Sequence, residues 1–246
     1  MATPSVARKL GAEAFGTAIL VSIGAGAIPL TRLLGGDDPL GSAELSSIAL
    51  ATAFAIIAAV YAVGHISGAH INPAVTIALL ATRKINSATA GGYIVAQVFG
   101  AFFGAALTLL ILSGNDPQTL GLGAVDVNAN AGLAIGFAAE VIGTAILVFT
   151  VFGAAVSGKA PAGFAGLVIG FIVYGIIILV GPITGAALNP ARQIGPDVLE
   201  MIIGGATVKW DVLAVAYIAG PVVGGLVGAF LYELLGRETA APEAAA

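Results

Sequence analysis

The stretch GHISGAHINPAV, at Gly64–Val75, interrupts a long apolar run with glycine, histidine and an Asn-Pro pair. A second stretch, GPITGAALNPAR at Gly181–Arg192, repeats the same pattern. Asparagine caps the start of a helix, and proline fits the first helical turn because its missing N–H has no partner there. The pairs Asn72-Pro73 and Asn189-Pro190 therefore predict two helices that begin abruptly between apolar segments.

The whole chain is too apolar to cover a water-facing surface. Of its 246 residues, 59% are hydrophobic and 9% are charged, whereas a soluble domain carries about a quarter charged residues. The absence of cysteine excludes disulfides, thiol nucleophiles and thiolate metal sites. Two histidines without a carboxylate cluster favour no metal site, and a net charge of −4 favours no nucleic-acid partner. We therefore expect an integral membrane protein without a cofactor.

Six stretches can cross a bilayer, whose hydrocarbon core of about 30 Å requires roughly 20 apolar residues as a helix. Of the nine Lys and Arg residues, six fall on the side that holds both termini and three on the other side. This excess predicts cytoplasmic termini, and we expect a protein of the plasma membrane. The six stretches are Leu10–Leu30, Ser46–Val63, Ala88–Leu112, Ala131–Val156, Gly163–Val180 and Val212–Leu235.

The sequence repeats itself in the same order in its two halves. AEAFGTAILV at Ala12–Val21 returns as AEVIGTAILV at Ala139–Val148, and the two Asn-Pro stretches lie 117 residues apart. YIVAQVFGAFFGA at Tyr93–Ala105 returns more loosely as YIAGPVVGGLVGA at Tyr217–Ala229. Because three spans are an odd number, the second repeat must enter the membrane from the opposite side, so the halves are inverted.

These repeats predict one domain over residues 1–246, built from inverted units at about 8–112 and 131–237, with a disordered tail at 238–246. The apolar stretches after the Asn-Pro pairs, Val75–Ala81 and Ile194–Ile203, are too short to cross. We expect both to be re-entrant half-helices that meet near the midplane of the membrane.

Backbone without helical pairing survives at membrane depth only when it is buried in protein or lines a water-filled cavity. The segments before the half-helices should therefore be extended and line a pore. The two half-helix N-termini place about half a positive charge each at the midplane, which favours an uncharged permeant over cations. The expected lining residues are Gly68, Ala69, His70, Ile71, Gly185, Ala186, Ala187 and Leu188.

Paired NPA boxes, SGAH before the first box, Arg192 after the second, and AE…GT at the start of both halves resemble the aquaporin family. The resemblance runs from Ala12 to Leu235. It implies an all-α membrane protein with six transmembrane helices and two re-entrant half-helices, assembled as a homotetramer. It also implies passive permeation of water without proton leak, and no enzymatic activity. The boxes are Asn72, Pro73, Ala74, and Asn189, Pro190, Ala191.

The same resemblance implies that Glu13 and Glu140 brace the re-entrant loops by accepting their backbone N–H groups; binding of a coupling ion is the alternative. It also implies an outer constriction without the aromatic and histidine side chains of water-strict members. We therefore expect glycerol, urea or ammonia to pass with water. The constriction residues are Thr52, with Phe54 as the alternative, Ile177, Ala186 and Arg192.

Three other functions are weighed against a water channel. A dedicated glycerol facilitator is one, although Gln193 stands where such members usually carry Asp. A secondary transporter is another, because inverted repeats and broken helices are common there. An intramembrane hydrolase is the third, and it would need Ser67 as nucleophile, His65 as base and an acidic partner. No residue in the sequence resembles that acidic partner. His65 itself is either a packed loop residue or a proton-sensitive gate.

Overall fold

The structure is a computed structural model that describes residues 3–35, 41–112, 115, 120–204 and 207–236. Within these residues, six helices are long and apolar enough to cross a membrane, and two shorter ones follow the Asn-Pro pairs. The predicted tail at 238–246 lies outside the described residues. The helices are α1 Val6–Gly35, α2 Ser42–Ser67, α3 Pro73–Ala81, α4 Ser87–Ile111, α5 Gly132–Val156, α6 Ala165–Thr184, α7 Pro190–Ile202 and α8 Trp210–Leu235.

The prediction of six spans is confirmed, but the ends of the helices differ from those of the apolar stretches, and α1 and α2 extend past both ends. Helix α1 begins at Val6, before the predicted Leu10, because the Ser5 side chain caps it by accepting the Arg8 N–H. Three spans also contain a π-helical segment, which the apolar pattern does not predict; they are Leu20–Ala25, Phe152–Val156 and Leu213–Ala219.

The two halves use the same packing scheme. In the first half α1 packs against α2 and α4, and in the second half α5 packs against α6 and α8. The halves join where α2 lies along α6. Each half-helix packs most extensively against the last span of the other half, α3 against α8 and α7 against α4. This exchange draws both half-helices into the centre of the bundle.

Glycines allow the closest helix contacts, because a residue without a side chain lets two helix backbones approach each other. A Cβ atom added to Gly100 of α4 would lie 2.1 Å from the carbonyl oxygen of Ala14 in α1. The corresponding pair in the second half repeats this contact, since a Cβ at Gly224 of α8 would lie 2.3 Å from the carbonyl oxygen of Val141 in α5. Backbone therefore touches backbone at both contacts.

We predict that Gly100→Ala destabilises the protein by about 1–3 kcal/mol, because the new methyl overlaps backbone that cannot rotate away. The measurement is the thermal midpoint of the detergent-solubilised protein. Gly91→Ala is the matched control in the same helix, since nothing lies within 4 Å of its added Cβ. Equal midpoints for the two variants would contradict the packing argument.

Candidate pore

The two half-helices begin at the asparagines of the Asn-Pro pairs, which cap them. The Asn72 Oδ1 atom accepts the Ala74 N–H at 2.8 Å. The Asn189 Oδ1 atom accepts the N–H groups of Ala191 at 3.0 Å and Arg192 at 3.2 Å. Because a helix leaves its first N–H groups without helical partners, these caps satisfy donors that would otherwise be exposed at the centre of the bundle.

The same two asparagines tie the half-helices to each other. The Asn72 Nδ2 atom donates to the carbonyl oxygen of Leu188 at 2.9 Å, and the Asn189 Nδ2 atom donates to that of Ile71 at 2.8 Å. Each asparagine thus binds the residue that immediately precedes the other. An amide nitrogen carries two hydrogens, so this clasp leaves each asparagine one donor for a molecule in the cavity.

The segments before the half-helices are not extended, so that prediction was wrong. Positive φ angles occur at Gly68, Ala69 and Ile71 in the first segment and at Gly185, Ala186 and Leu188 in the second. Left-handed backbone at a non-glycine residue costs on the order of 1 kcal/mol or more and requires support from its surroundings. Both segments receive this support from a buried carboxylate.

The first carboxylate, Glu13 of α1, is fully buried beside the segment that precedes α3. Its Oε1 atom accepts the Ser67 hydroxyl at 2.6 Å and the His70 N–H at 2.9 Å. Its Oε2 atom accepts the Ile71 N–H at 2.7 Å and the Gln97 amide at 2.8 Å. Four donors therefore converge on one side chain.

Glu140 of α5 repeats this arrangement in the second half and is also fully buried. Its Oε1 atom accepts the Thr184 hydroxyl at 2.6 Å and the Ala187 N–H at 3.0 Å. Its Oε2 atom accepts the Leu188 N–H at 2.7 Å. The two carboxylates are thus occupied by hydrogen bonds from the loops.

Two tyrosines complete the support, although their role was not predicted. The hydroxyl of Tyr93 donates to the carbonyl oxygen of Ser67, and that of Tyr217 donates to the carbonyl oxygen of Thr184, both at 2.8 Å. The repeat contains the missing signal, because each tyrosine and each hydroxyl residue occupies the corresponding place in its half. Shared polar positions in an inverted repeat therefore indicate shared structural roles.

A cavity of about 310 Å³ runs past the meeting point of the half-helices. All eight predicted loop residues line it, together with Asn72 and Asn189. Most of the remaining wall is aliphatic, from Leu20 and Ile56 to Leu147 and Val173. The remaining residues of the NPA boxes are buried behind this wall: Pro73, Ala74, Pro190 and Ala191.

The four residues predicted for the outer constriction all line this cavity: Thr52, Ile177, Ala186 and Arg192. Phe54 does not line it, because its side chain is 54% exposed on the outside of the bundle. The Thr52 hydroxyl donates to the carbonyl oxygen of Ile48 at 2.9 Å. Thr52 also packs against Gly24, which belongs to the π-helical segment of α1. A Cβ atom added to Gly24 would lie 3.1 Å from the Thr52 Oγ1 atom.

Arg192 is 7% exposed, and its Nη1 atom donates to the carbonyl oxygen of Gly123 at 2.7 Å. Gly123 belongs to the loop between α4 and α5, and we call residues 120–128 the outer strap. Gln193 binds this strap through both atoms of its amide, accepting the Val125 N–H at 3.3 Å and donating to the Val125 carbonyl oxygen at 2.9 Å. Sequence reasoning missed the strap because its partners are backbone groups.

At its outer surface the strap pairs with the segment that precedes α8. The Lys209 ammonium group donates to the Asp126 carboxylate. This hydrogen bond, and the negative charge of Asp126, raise the pKa of Lys209. Both side chains are largely exposed, so solvent screens the pair and it contributes little to stability.

The two histidines have different surroundings. His70 lines the cavity, and its Nδ1 atom lies 3.2 Å from the Thr76 hydroxyl. His65 is an exposed residue of α2 and not a packed loop residue. The Ser67 hydroxyl binds Glu13, so it is not paired with a histidine base. Among the described residues, no three His, Asp or Glu side chains cluster as metal ligands.

Comparisons with known proteins agree with this geometry. The chain matches the model of the major intrinsic protein family over residues 1–232. Aquaporin AqpM of Methanothermobacter thermautotrophicus is 40% identical, with 95% of this chain and 99% of that protein covered. Aquaporin NIP1-1 of Zea mays is 33% identical, with 93% of this chain and 74% of that protein covered. The X-ray structure of the aquaglyceroporin from Plasmodium falciparum aligns with a TM-score of 0.81 at 27% identity, with 93% of this chain and 96% of that chain covered.

We predict that Glu13→Gln and Glu140→Gln each lower the stability of the folded protein. Glutamine keeps one accepting oxygen and turns an NH₂ group toward donors, and each buried donor left unpaired costs about 1–3 kcal/mol. Thermal midpoints in detergent measure this, with Glu233→Gln as control, because Glu233 forms an exposed pair with Lys84. A stable Glu13 or Glu140 variant that loses only ion-driven uptake would contradict the bracing role.

Proposed function

This chain belongs to the major intrinsic protein family, whose members are channels and not enzymes, and we propose that its pore admits small neutral solutes with water while it excludes protons. The chain is a multi-pass membrane protein and a passive channel for water and small solutes. The observation that carries the finer proposal is the asparagine clasp, which joins two capped helix N-termini inside a continuous cavity.

Water passage follows from the polarity of the cavity. One side presents loop backbone and the remaining amide hydrogens of Asn72 and Asn189, while the rest is aliphatic. A file of water molecules can exchange hydrogen bonds along the polar side without binding tightly to the aliphatic side. At the clasp, the remaining amide hydrogens of Asn72 and Asn189 donate to the oxygen atom of each passing water molecule and so orient it.

Proton and cation exclusion follows from the charge of the same elements. Two helix N-termini face the clasp and add positive potential there. The Arg192 guanidinium adds a full positive charge at the outer constriction, where it is held by the Gly123 carbonyl group. A hydronium ion or metal cation therefore meets repulsion at two successive positions, whereas a neutral molecule meets only hydrogen-bond donors.

The range of solutes follows from the size of the outer constriction. Thr52 and Ala186 are small, and Ile177 supplies an apolar wall. Arg192 still offers fixed donors to a hydroxyl, carbonyl or amine group. This combination supports passage of glycerol, urea or ammonia with water. The aquaglyceroporin named above is a structural neighbour, which is consistent with a constriction wider than that of a strict water pore.

A secondary transporter is not favoured by the contacts of the two buried carboxylates. A coupled transporter needs a titratable or ion-binding group at its substrate site. Glu13 and Glu140 are the buried carboxylates that contact the segments before the half-helices, and their oxygens already accept four and three hydrogen bonds. Bracing accounts for these contacts without a bound ion.

The membrane orientation and assembly are also part of the proposal. The positive-inside rule supports cytoplasmic termini, with Arg83 and Lys84 between α3 and α4 on the cytoplasmic side. The outer strap then faces the exterior of a plasma membrane. Membership of the family supports a homotetramer with one pore per subunit. Exposed apolar side chains on the spans, such as Phe15 and Phe171, can face lipid or a neighbouring subunit.

We predict that proteoliposomes containing the wild-type protein pass both water and glycerol, and that Thr52→Phe lowers glycerol entry far more than water flow. A phenyl ring fills more of the constriction than the threonine side chain does, so we expect it to hinder glycerol more than the smaller water molecule. Stopped-flow light scattering measures osmotic shrinkage and solute-driven swelling. Phe54→Thr is the control and should change neither rate.

Wild-type liposomes that shrink no faster than empty vesicles would contradict the channel itself. If the wild-type protein passes water and excludes glycerol, urea and ammonia, the channel stands and the wide constriction is wrong.

We predict that Arg192→Val leaves water flow largely intact and admits a proton leak. Valine is the residue at the corresponding place of the first half, Val75, which also lines the cavity, so its bulk is compatible with the pore. An internal pH-sensitive dye follows the decay of an imposed pH gradient. Lys209→Gln is the control, because it removes a positive charge outside the cavity. Its proton leak should equal that of the wild type. A wild-type protein that itself collapses the gradient would contradict proton exclusion.

A further inference from the structure

Glu200 is a buried carboxylate of α7 that the pore does not use directly. Its side chain lies outside the cavity and the residue is 6% exposed. The Oε1 atom accepts the Leu122 N–H at 2.5 Å and the Ala124 N–H at 3.4 Å. Both donors belong to the outer strap, and they flank Gly123, whose carbonyl group binds Arg192.

The geometry of the peptide unit connects these two contacts. The Gly123 carbonyl group and the Ala124 N–H group belong to one planar trans peptide, so they point in opposite directions. When Glu200 accepts the Ala124 N–H from one side, the Gly123 oxygen is turned to the other side, where the Arg192 guanidinium lies. A hydrogen bond to one end of the peptide also strengthens the acceptor at its other end.

Helix α1 closes the remaining side of this turn. Gly123 has a φ of +99°, and an added Cβ would lie 2.4 Å from the carbonyl oxygen of Ala25. The Leu122 side chain is fully buried and packs in a cluster with Leu199 of α7. Apolar packing holds the strap down, but it does not set the rotation of a peptide plane. The carboxylate supplies that direction.

We propose that Glu200 is a positioning residue for selectivity, which acts through the outer strap to orient the Arg192 guanidinium. The inference rests on the proposed function, because Arg192 is taken to exclude protons there. Loss of Glu200 frees the Gly123 peptide to rotate, so the guanidinium loses its fixed partner while the pore stays open. Selectivity then falls and water flow does not.

The test measures the proton leak and the water permeability of Glu200→Ala in liposomes. We expect the ratio of leak to water permeability to rise roughly tenfold, the scale on which a buried charge-assisted hydrogen bond contributes. Glu200→Gln keeps one accepting oxygen without the charge and should fall between Glu200→Ala and the wild type. Asp211→Ala removes an exposed carboxylate near the start of α8 and should match the wild type.

The double variant Arg192→Val with Glu200→Ala separates positioning from general loosening. If Glu200 acts through Arg192, the double variant leaks no more than Arg192→Val alone. Additive leaks, or a Glu200→Ala protein whose water flow and leak change in parallel, would overturn the proposal. If Glu200→Ala does not fold, hydrogen exchange of the strap amides in Glu200→Gln carries the test, and exchange equal to that of the wild type would overturn it.

The outcomes also separate this inference from the proposed function. A wild-type protein without water permeability overturns both. An Arg192→Val variant without a leak overturns the role of Arg192, and with it the role of Glu200, while the channel itself stands. A conducting wild type with a leaking Arg192→Val variant and a tight Glu200→Ala variant overturns the role of Glu200 alone.

Discussion

Peptide groups that leave a helix at membrane depth need partners, and two buried carboxylates supply them here. Glu13 and Glu140 each collect a hydroxyl and two loop N–H groups, which makes it possible for the chain to turn back inside the bilayer. Everything nearer the centre depends on this support. The half-helices can begin where they do, and the asparagine clasp can form, only because the strained segments before them are held in place.

The inverted repeat gives both halves the same arrangement of helices, but the two halves present different side chains to the cavity. Arg192 corresponds in sequence to Val75, and Gln193 corresponds to Thr76. The first half uses Thr76 to bind His70 and Gln97 within the bundle, whereas the second half directs its polar side chains toward the outer strap. A repeated scaffold thus places Arg192 in the cavity wall at the position where the first half has Val75.

The outer strap connects an irregular loop to the cavity through Arg192, which lines the cavity and donates to the Gly123 carbonyl group. Its backbone is held by Glu200 and Gln193 from α7, and by the Arg32 guanidinium of α1, which donates to the carbonyl oxygen of Leu120 at 3.0 Å. In return, the strap gives Arg192 its carbonyl partner. Residues far apart in the chain therefore share one hydrogen-bonded assembly, and the position of the guanidinium depends on all of them.

The amino-acid sequence alone predicted the six spans, the two half-helices and the caps at Asn72 and Asn189, because composition, helix length and capping are local properties. It could not predict the positive φ angles of the loop segments, which require the tertiary support of Glu13 and Glu140. Nor could it predict the outer strap. The strap contacts Arg192 and Gln193 through backbone groups, which every residue carries, so the sequence holds no signal for them. Thr52 and Phe54 were separated only by packing, because side chains two positions apart on a helix point to different faces and the folded bundle determines which face meets the cavity.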